Sequence, residues 1–264
     1  MAERENARTT LLGARRRGWP AGALWPPLVL GVVLVLLWWA VTASGAVGRV
    51  VLPEPVDVVT TLVELFQTGD LLPAIGATFS AAGLGGLLGV AVGLPLAWLL
   101  VHGRWAGAAL EPYVAASQAV PAIAIAPLLV LWVGYGLPAI AVLCALLVFF
   151  PVVVATTLGL RTLDPEVVAA ARVDGASGWR LLRHIEAPLA LPAILSGLRN
   201  GVTLAVTGAV VGEFVMGGKG LGLLLTAQRD RSDTAGLFAT LLVLCALATA
   251  AYAVVRLIER RTEI

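Results

Sequence analysis

Charge is what this chain has least of. Of its 264 residues only 13% are Asp, Glu, Lys or Arg, while 59% are hydrophobic and the mean hydropathy is +0.93. That is roughly half the charge of an average soluble domain, which excludes a water-solvated globule and makes the bilayer the implied solvent. A net charge of +2 on so small a charged set says nothing about nucleic acid, and with no basic, aromatic-studded stretch to raise the question no nucleic-acid partner is expected. Cysteine and histidine are equally sparse. Cys144 and Cys245 lie in mid-apolar runs, where a thiol packs as a small hydrophobe and no disulfide framework is served. His102 and His184 flank different segments without metal-ligand spacing, so no metal site is expected. Period-2 alternation is also missing, which removes the closed barrel and leaves helices as the only spanning structure.

What is present is a series of long apolar stretches. Six can span a bilayer: 24–43, 74–101, 113–133, 138–160, 189–212 and 235–257, each holding the roughly 20 residues that cross about 30 Å of hydrocarbon. Arg15, Arg16 and Arg17 ahead of the first run imitate a secretory signal. The run is longer than the roughly 7–15 residues of a signal core, however, and Trp25, Trp38 and Trp39 are placed as interfacial anchors, so it reads as a span. On this map thirteen of the eighteen Lys and Arg residues fall on one side; Arg49, Lys219, Arg229 and Arg231 fall on the other, and Arg199 lies within a span. The asymmetry puts both termini in the cytoplasm. Residues 53–72 carry Val58, Val59, Leu62, Leu65 and Phe66 on one helical face and predict a short helix along the outer surface.

Two spans carry stripes of small residues: Ala81, Gly85, Gly89, Gly93 and Ala97 in the second, and Gly197, Gly201, Ala205 and Ala209 in the fifth. Such stripes permit close helix approach, within one bundle or between two copies. Pro95, Pro121, Pro127 and Pro151 each remove a backbone donor inside a predicted span and permit a bend. Ionisable residues are rare within the spans, which singles out Arg199 and Glu213 as candidates for the wall of a translocation path. A structural ion pair for Arg199, and snorkelling from the outer end of its span for Glu213, stand beside that reading.

The exception to the apolar pattern is the stretch DPEVVAAARVDGASGWRLLRHIEAP, residues 164–188. Asp164 is a good N-cap, Pro165 suits the first helical position and Glu166 complements the positive helix end. A helix is expected from there, interrupted at Gly175 and Gly178, with a second piece ending at Pro188. Trp179, Leu181, Leu182 and Ile185 can form an apolar surface rimmed by Arg172, Asp174, Arg180, Arg183 and Glu186. That composition suits docking of another protein; a loop folding back on its own spans would use it as well.

The run AAARVDGASGWRLLRHIEAPLALPAIL resembles the EAA loop of permease subunits of binding-protein-dependent ABC importers. Ala170, Ala171 and Gly175 match that pattern, whereas Ala169 stands where the family usually has Glu. The likeness extends through LPEPVDVVTTL, AVPAIAIAPLLVLWVGYG, FFPVVVATTLGLRTLDPEVVAAARVDGAS and GEFVMGGKGLGLLL, which look like the branch for aliphatic sulfonates, taurine and nitrate; permeases for thiamine-precursor pyrimidines and riboflavin look similar. The resemblance implies an all-α, six-helix type I permease bundle over 24–264, preceded by a cytoplasmic segment 1–23. A coupling loop at about 161–188 would sit in a cleft of a separate ATPase subunit through Ala170, Ala171, Asp174, Gly175, Ala176, Trp179 and Arg180. It implies further partners: an extracytoplasmic substrate-binding protein, a second permease copy (a homodimer by likeness) and the lipid of a prokaryotic plasma membrane. ATP and Mg²⁺ would be bound by the ATPase. MGGKG (Met216–Gly220) lacks the spacer and the Ser or Thr of a phosphate-binding loop and reads as an outer turn. An ion-coupled secondary transporter, an intramembrane enzyme and a scaffold are the competing classes. The first has thin support in one carboxylate, Glu213, the second lacks a catalytic constellation within the spans, and the third is equally allowed by the docking surface.

Overall fold

A computed structural model describes residues 25–262, so the segment 1–23 with its arginines lies outside the described residues. The described chain is helical throughout and divides after Pro55 into two units. The first contains α1 (Trp25–Ala43), which is apolar on all sides, followed by a turn in which Trp38 Nε1 donates to the Pro53 carbonyl at 3.0 Å. Arg49 pairs with Glu54 at 2.7 Å in the same turn.

The second unit begins with α2 (Pro55–Gln67), the helix predicted from the spacing of its apolar face. Val58 is fully buried, and Leu62 and Leu65 join a cluster with Leu71, Leu221 and Leu244, but Val59 and Phe66 remain exposed. The buried stripe is therefore narrower than the sequence suggested. Then come α3 (Leu71–His102), α4 (Arg104–Ser117), α5 (Ala122–Val133) and α6 (Leu137–Arg161). Next are α7 (Pro165–Val173) and α8 (Gly178–Leu181), and a π-helical turn (Leu182–Glu186) leads into α9 (Ala187–Met216). α10 (Leu221–Asp230) and α11 (Thr234–Thr262) complete the unit. Among the described residues five helical runs are long and apolar enough to cross a membrane, and six if the bent pair α4–α5 counts as one.

The predicted third span, 113–133, is not one helix: α4 and α5 meet at 101°. Pro121 is the cause. It has no N–H to continue the ladder and drives Val120 out of helical geometry. The last turn of α4 tightens, with Ala119 and Val120 donating three residues back, before α5 restarts from Pro121. Pro95, Pro127 and Pro151 are accommodated inside their helices.

The small-residue stripes explain how the bundle closes. α6 lies between α3 and α9, and both stripes face it. A Cβ on Gly89 would stand 2.7 Å from the Ala145 carbonyl oxygen, and one on Gly197 would stand 2.8 Å from that of Pro151. Gly85 backs against Cys144 and Gly201 against Val148 in the same way. The stripes thus serve contacts within one chain, where lipid offers no hydrophobic drive and close backbone approach supplies dispersion instead.

A second correction concerns the loop before α9. The predicted helix end at Pro188 is absent: α8, the π turn and α9 form one run of 39 residues, Gly178–Met216. Pro188 cannot donate to a carbonyl four residues back, and the backbone widens just ahead of it, so that the Ala187 N–H reaches Leu182 O, five residues back. The widened turn also buries Leu181 and Glu186, which the sequence placed on an exposed surface and its charged rim.

Candidate functional site

Polar groups interrupt the apolar bundle at several places, two of which bear on function. The first is the loop between α6 and α9. Asp164 caps α7 as expected, its Oδ1 accepting from the Glu166 N–H at 2.9 Å. The other end closes on Gly175, which has φ = +87°. Ala176 N–H donates to Ala171 O at 2.9 Å and Gly175 N–H to Arg172 O at 3.1 Å, the paired bonds of a Schellman stop. No residue of α7 is buried. One side of this helix, with Val168 and Arg172, borders a recess at the ends of α3 and α6, while Val173 and Trp179 stand 87% and 70% exposed at one end of the bundle.

Every loop residue singled out from the sequence falls in this one region. Ala170, Asp174, Gly175, Trp179 and Arg180 are exposed, and Ala171 and Ala176 are half-buried. A Cβ added to Gly175 would meet nothing within 4 Å, so only its backbone angle constrains it in the isolated chain. Ala169, where the usual Glu is missing, borders a recess of about 440 Å³ shared with His102, Arg172 and Glu186.

The loop is braced against α3 by a contact that the sequence did not reveal. His102 Nε2 lies 2.9 Å from Glu186 Oε1, and Nδ1 lies 3.1 Å from the Trp98 carbonyl, with the Trp98 ring stacked on the imidazole. Glu186 is 4% exposed. An isolated Glu in an apolar helix carries no sign of a partner 84 residues away, which is why it read as a rim charge. At the C-terminal end of α6, Arg161 clasps Glu111 of α4 through two 2.9 Å bonds; both side chains are half exposed, so this pair adds little.

The second polar site lies near the other end of α9. Glu213 is 2% exposed; its Oε1 accepts from Thr78 Oγ1 at 2.8 Å and its Oε2 from Gly222 N–H at 2.6 Å. Thr78 Oγ1 in turn accepts from Leu221 N–H at 2.9 Å. One carboxylate and one hydroxyl therefore satisfy the first two N–H groups of α10 and join α3, α9 and α10. The glycines of GEFVMGGKGLG follow from this geometry: a Cβ on Gly220 would fall on the Glu213 carboxylate, and one on Gly222 would stand 2.8 Å from Glu213 Cβ. Met216–Gly220 is the turn expected of it, with Gly217 and Gly218 at positive φ.

Arg199, on the same helix, is held elsewhere. Its guanidinium donates to Glu259 Oε2 of α11 at 2.8 Å and lies over the Tyr252 ring, 5.6 Å from its centroid. Arg199 and Glu213 are 14 residues apart, about 21 Å along the helix, so the structure does not bring them into one site.

Comparison with known proteins places this architecture. Residues 85–264 match the model of a family described as the binding-protein-dependent transport system inner membrane component. The chain is 41% identical over 239 residues to a riboflavin transport system permease protein of Chloroflexus aurantiacus, covering 89% of each chain. It is 32% identical over 249 residues to a putative aliphatic sulfonates transport permease protein of Bacillus subtilis, covering 94% of this chain and 88% of that one. Similarity to the formylaminopyrimidine transport permease protein of Halalkalibacterium halodurans reaches 31% over 237 residues, or 90% of this chain and 94% of that one. Among solved structures, the MetNI methionine ABC transporter in an inward-facing form superposes with a TM-score of 0.67 at 21% identity, covering 74% of this chain and 97% of that one.

Proposed function

The chain belongs to the family of binding-protein-dependent transport system inner membrane components, and as the multi-pass permease subunit of an ABC importer we propose that it seats a separate ATP-binding cassette ATPase on residues 164–180. The observation that carries this reading is α7: a capped helix with no buried residue, with Val173 and Trp179 exposed at its end. Water does not hold such a helix together on its own at nine residues. Its apolar and charged groups suit a partner's cleft. Ala170, Ala171, Asp174, Gly175, Ala176, Trp179 and Arg180 make the contact. In this reading ATP and Mg²⁺ belong to the partner, and this chain hydrolyses nothing.

Force entering at Trp179 travels far because the run from Gly178 to Met216 is continuous. Thirty-four residues, about 51 Å of helix, separate Trp179 from Glu213. There the Thr78 and Gly222 bonds pass the movement to α3 and α10. Closure of two ATPase subunits around nucleotide would rotate this lever in each of two permease copies and bias the bundle outward; hydrolysis would relax it inward. The loop and both termini face the cytoplasm, and an extracytoplasmic binding protein delivers the cargo to the opposite face.

For the cargo, the riboflavin reading moves ahead of the sulfonate, taurine and nitrate reading, while the pyrimidine reading, at 31% identity, does not. Similarity to the riboflavin permease is 41%, against 32% to the sulfonate permease. Arg199, a cation within a predicted span, is paired with Glu259 and so offers no free counter-charge to an anion; Arg199 and Glu213 act as struts in this reading.

The test uses a chain in which the exposed Cys245 is replaced by Ser and Ala170→Cys is introduced, Cys144 being buried. A membrane-impermeant maleimide should modify it only in inside-out vesicles, and a thiol cross-linker should join it to the copurifying ATPase. Labelling in intact cells would overturn the reading. Calorimetry of the cognate binding protein against riboflavin, pyrimidines and sulfonates decides the cargo.

A further inference from the structure

We propose that the crevice between α3 and α9 holds an acyl chain of an anionic phospholipid, whose headgroup rests on Arg183. The two helices are bridged at one end by Thr78 and Glu213 and at the other by His102 and Glu186. Between the bridges they part over α6 and leave a crevice of about 540 Å³, floored by Thr156 and Leu160. Leu94, Pro95 and Trp98 form one wall, and Leu182, Ala187 and Ile194 form the other. The volume is that of a site for a small ligand, and its lining is almost wholly apolar.

Two observations select a lipid. The first is length: Arg183 at the mouth and Ile194 at the deep end are 11 residues apart on one continuous helical run. That is about 16 Å, close to half of the roughly 30 Å hydrocarbon layer and thus to one leaflet. The second is charge at the mouth. Arg183 is exposed, lines the crevice and makes no ion pair among the described residues, with Arg180 one turn away. Its nearest carboxylate in sequence, Glu186, is engaged by His102. An Arg between helices at the cytoplasmic boundary suits an acidic headgroup.

The inference rests on the membrane placement proposed above but not on the transport cycle. The full chain is reconstituted in phosphatidylcholine vesicles containing a trace of either phosphatidylglycerol or phosphatidylcholine brominated on the acyl chain. Quenching of Trp98 is read as the difference between wild type and Trp98→Phe. Brominated phosphatidylglycerol should associate about fivefold more strongly than brominated phosphatidylcholine, the effect of one basic residue near a headgroup. Arg183→Gln should abolish that preference while leaving quenching by the neutral lipid, and Ala187→Phe, which fills the crevice, should remove both. Equal quenching of wild type by the two lipids, or none by either because a protein segment covers the crevice, overturns the proposal. No nucleotide or cargo enters this measurement. A chain that binds lipid here but moves no solute would refute the transport reading alone.

Discussion

The backbone of Gly175 separates folding from docking at the exposed loop. At φ = +87° an L-residue carries a cost of about 1–2 kcal/mol. Replacing Gly also removes unfolded-state freedom, which returns about 0.4–1 kcal/mol, so Gly175→Ala should cost the loop about 1 kcal/mol net. Asn tolerates this region better than Ala, and open space around the position adds no clash for either. For the permease alone, thermal stability should therefore fall in the order Gly, Asn, Ala. Docking reverses the last two: against a partner's cleft every added atom overpacks, by about 1–3 kcal/mol, and Asn is the larger. Retention of the ATPase subunit on an affinity-tagged permease should then fall in the order Gly, Ala, Asn. The two series are read side by side, from unfolding in detergent and from copurification. If ATPase retention follows the stability order, Gly175 serves only its own turn and the docking argument is refuted.

Thr78→Val should destabilise the bundle by about 2–4 kcal/mol, because the Glu213 carboxylate and the Leu221 N–H each lose a buried partner; Thr78→Ser should stay within about 1 kcal/mol, both read by thermal unfolding. Gly89→Val should cost at least about 1–3 kcal/mol by forcing α3 off the Ala145 carbonyl, whereas Gly86→Val, with nothing within 4 Å, should be close to neutral in the same assay. His102→Ala leaves Glu186 buried without its hydrogen-bond partner and should cost about 1–3 kcal/mol. A double-mutant cycle with Glu186→Gln should recover part of that loss, and strict additivity would deny that the two residues form one unit.

Much of this architecture was legible in the residues because membrane helices are specified locally. A run of about 20 apolar residues must bond its own backbone wherever it lies in lipid, so five of the six predicted spans could be read without knowing any partner. The Asp164 cap and the Gly175 stop are also local, being bonds between residues two to five apart. The interruption at Pro121 was legible as a possible bend, but not as a 101° turn, since its angle depends on how α5 packs against α6 and α9. The stripes announced close approach but could not name the partner; tertiary structure decided that both face α6. Residues whose roles depend on distant chain were invisible. Thr78 looks like one more small residue until Glu213 arrives from 135 positions away, and Glu186 looks like a surface charge until His102 closes over it from 84. The reason is range: hydrophobic span and turn chemistry act over a few residues, whereas a buried polar bond exists only after packing has brought its two ends together and removed the water that would otherwise satisfy them.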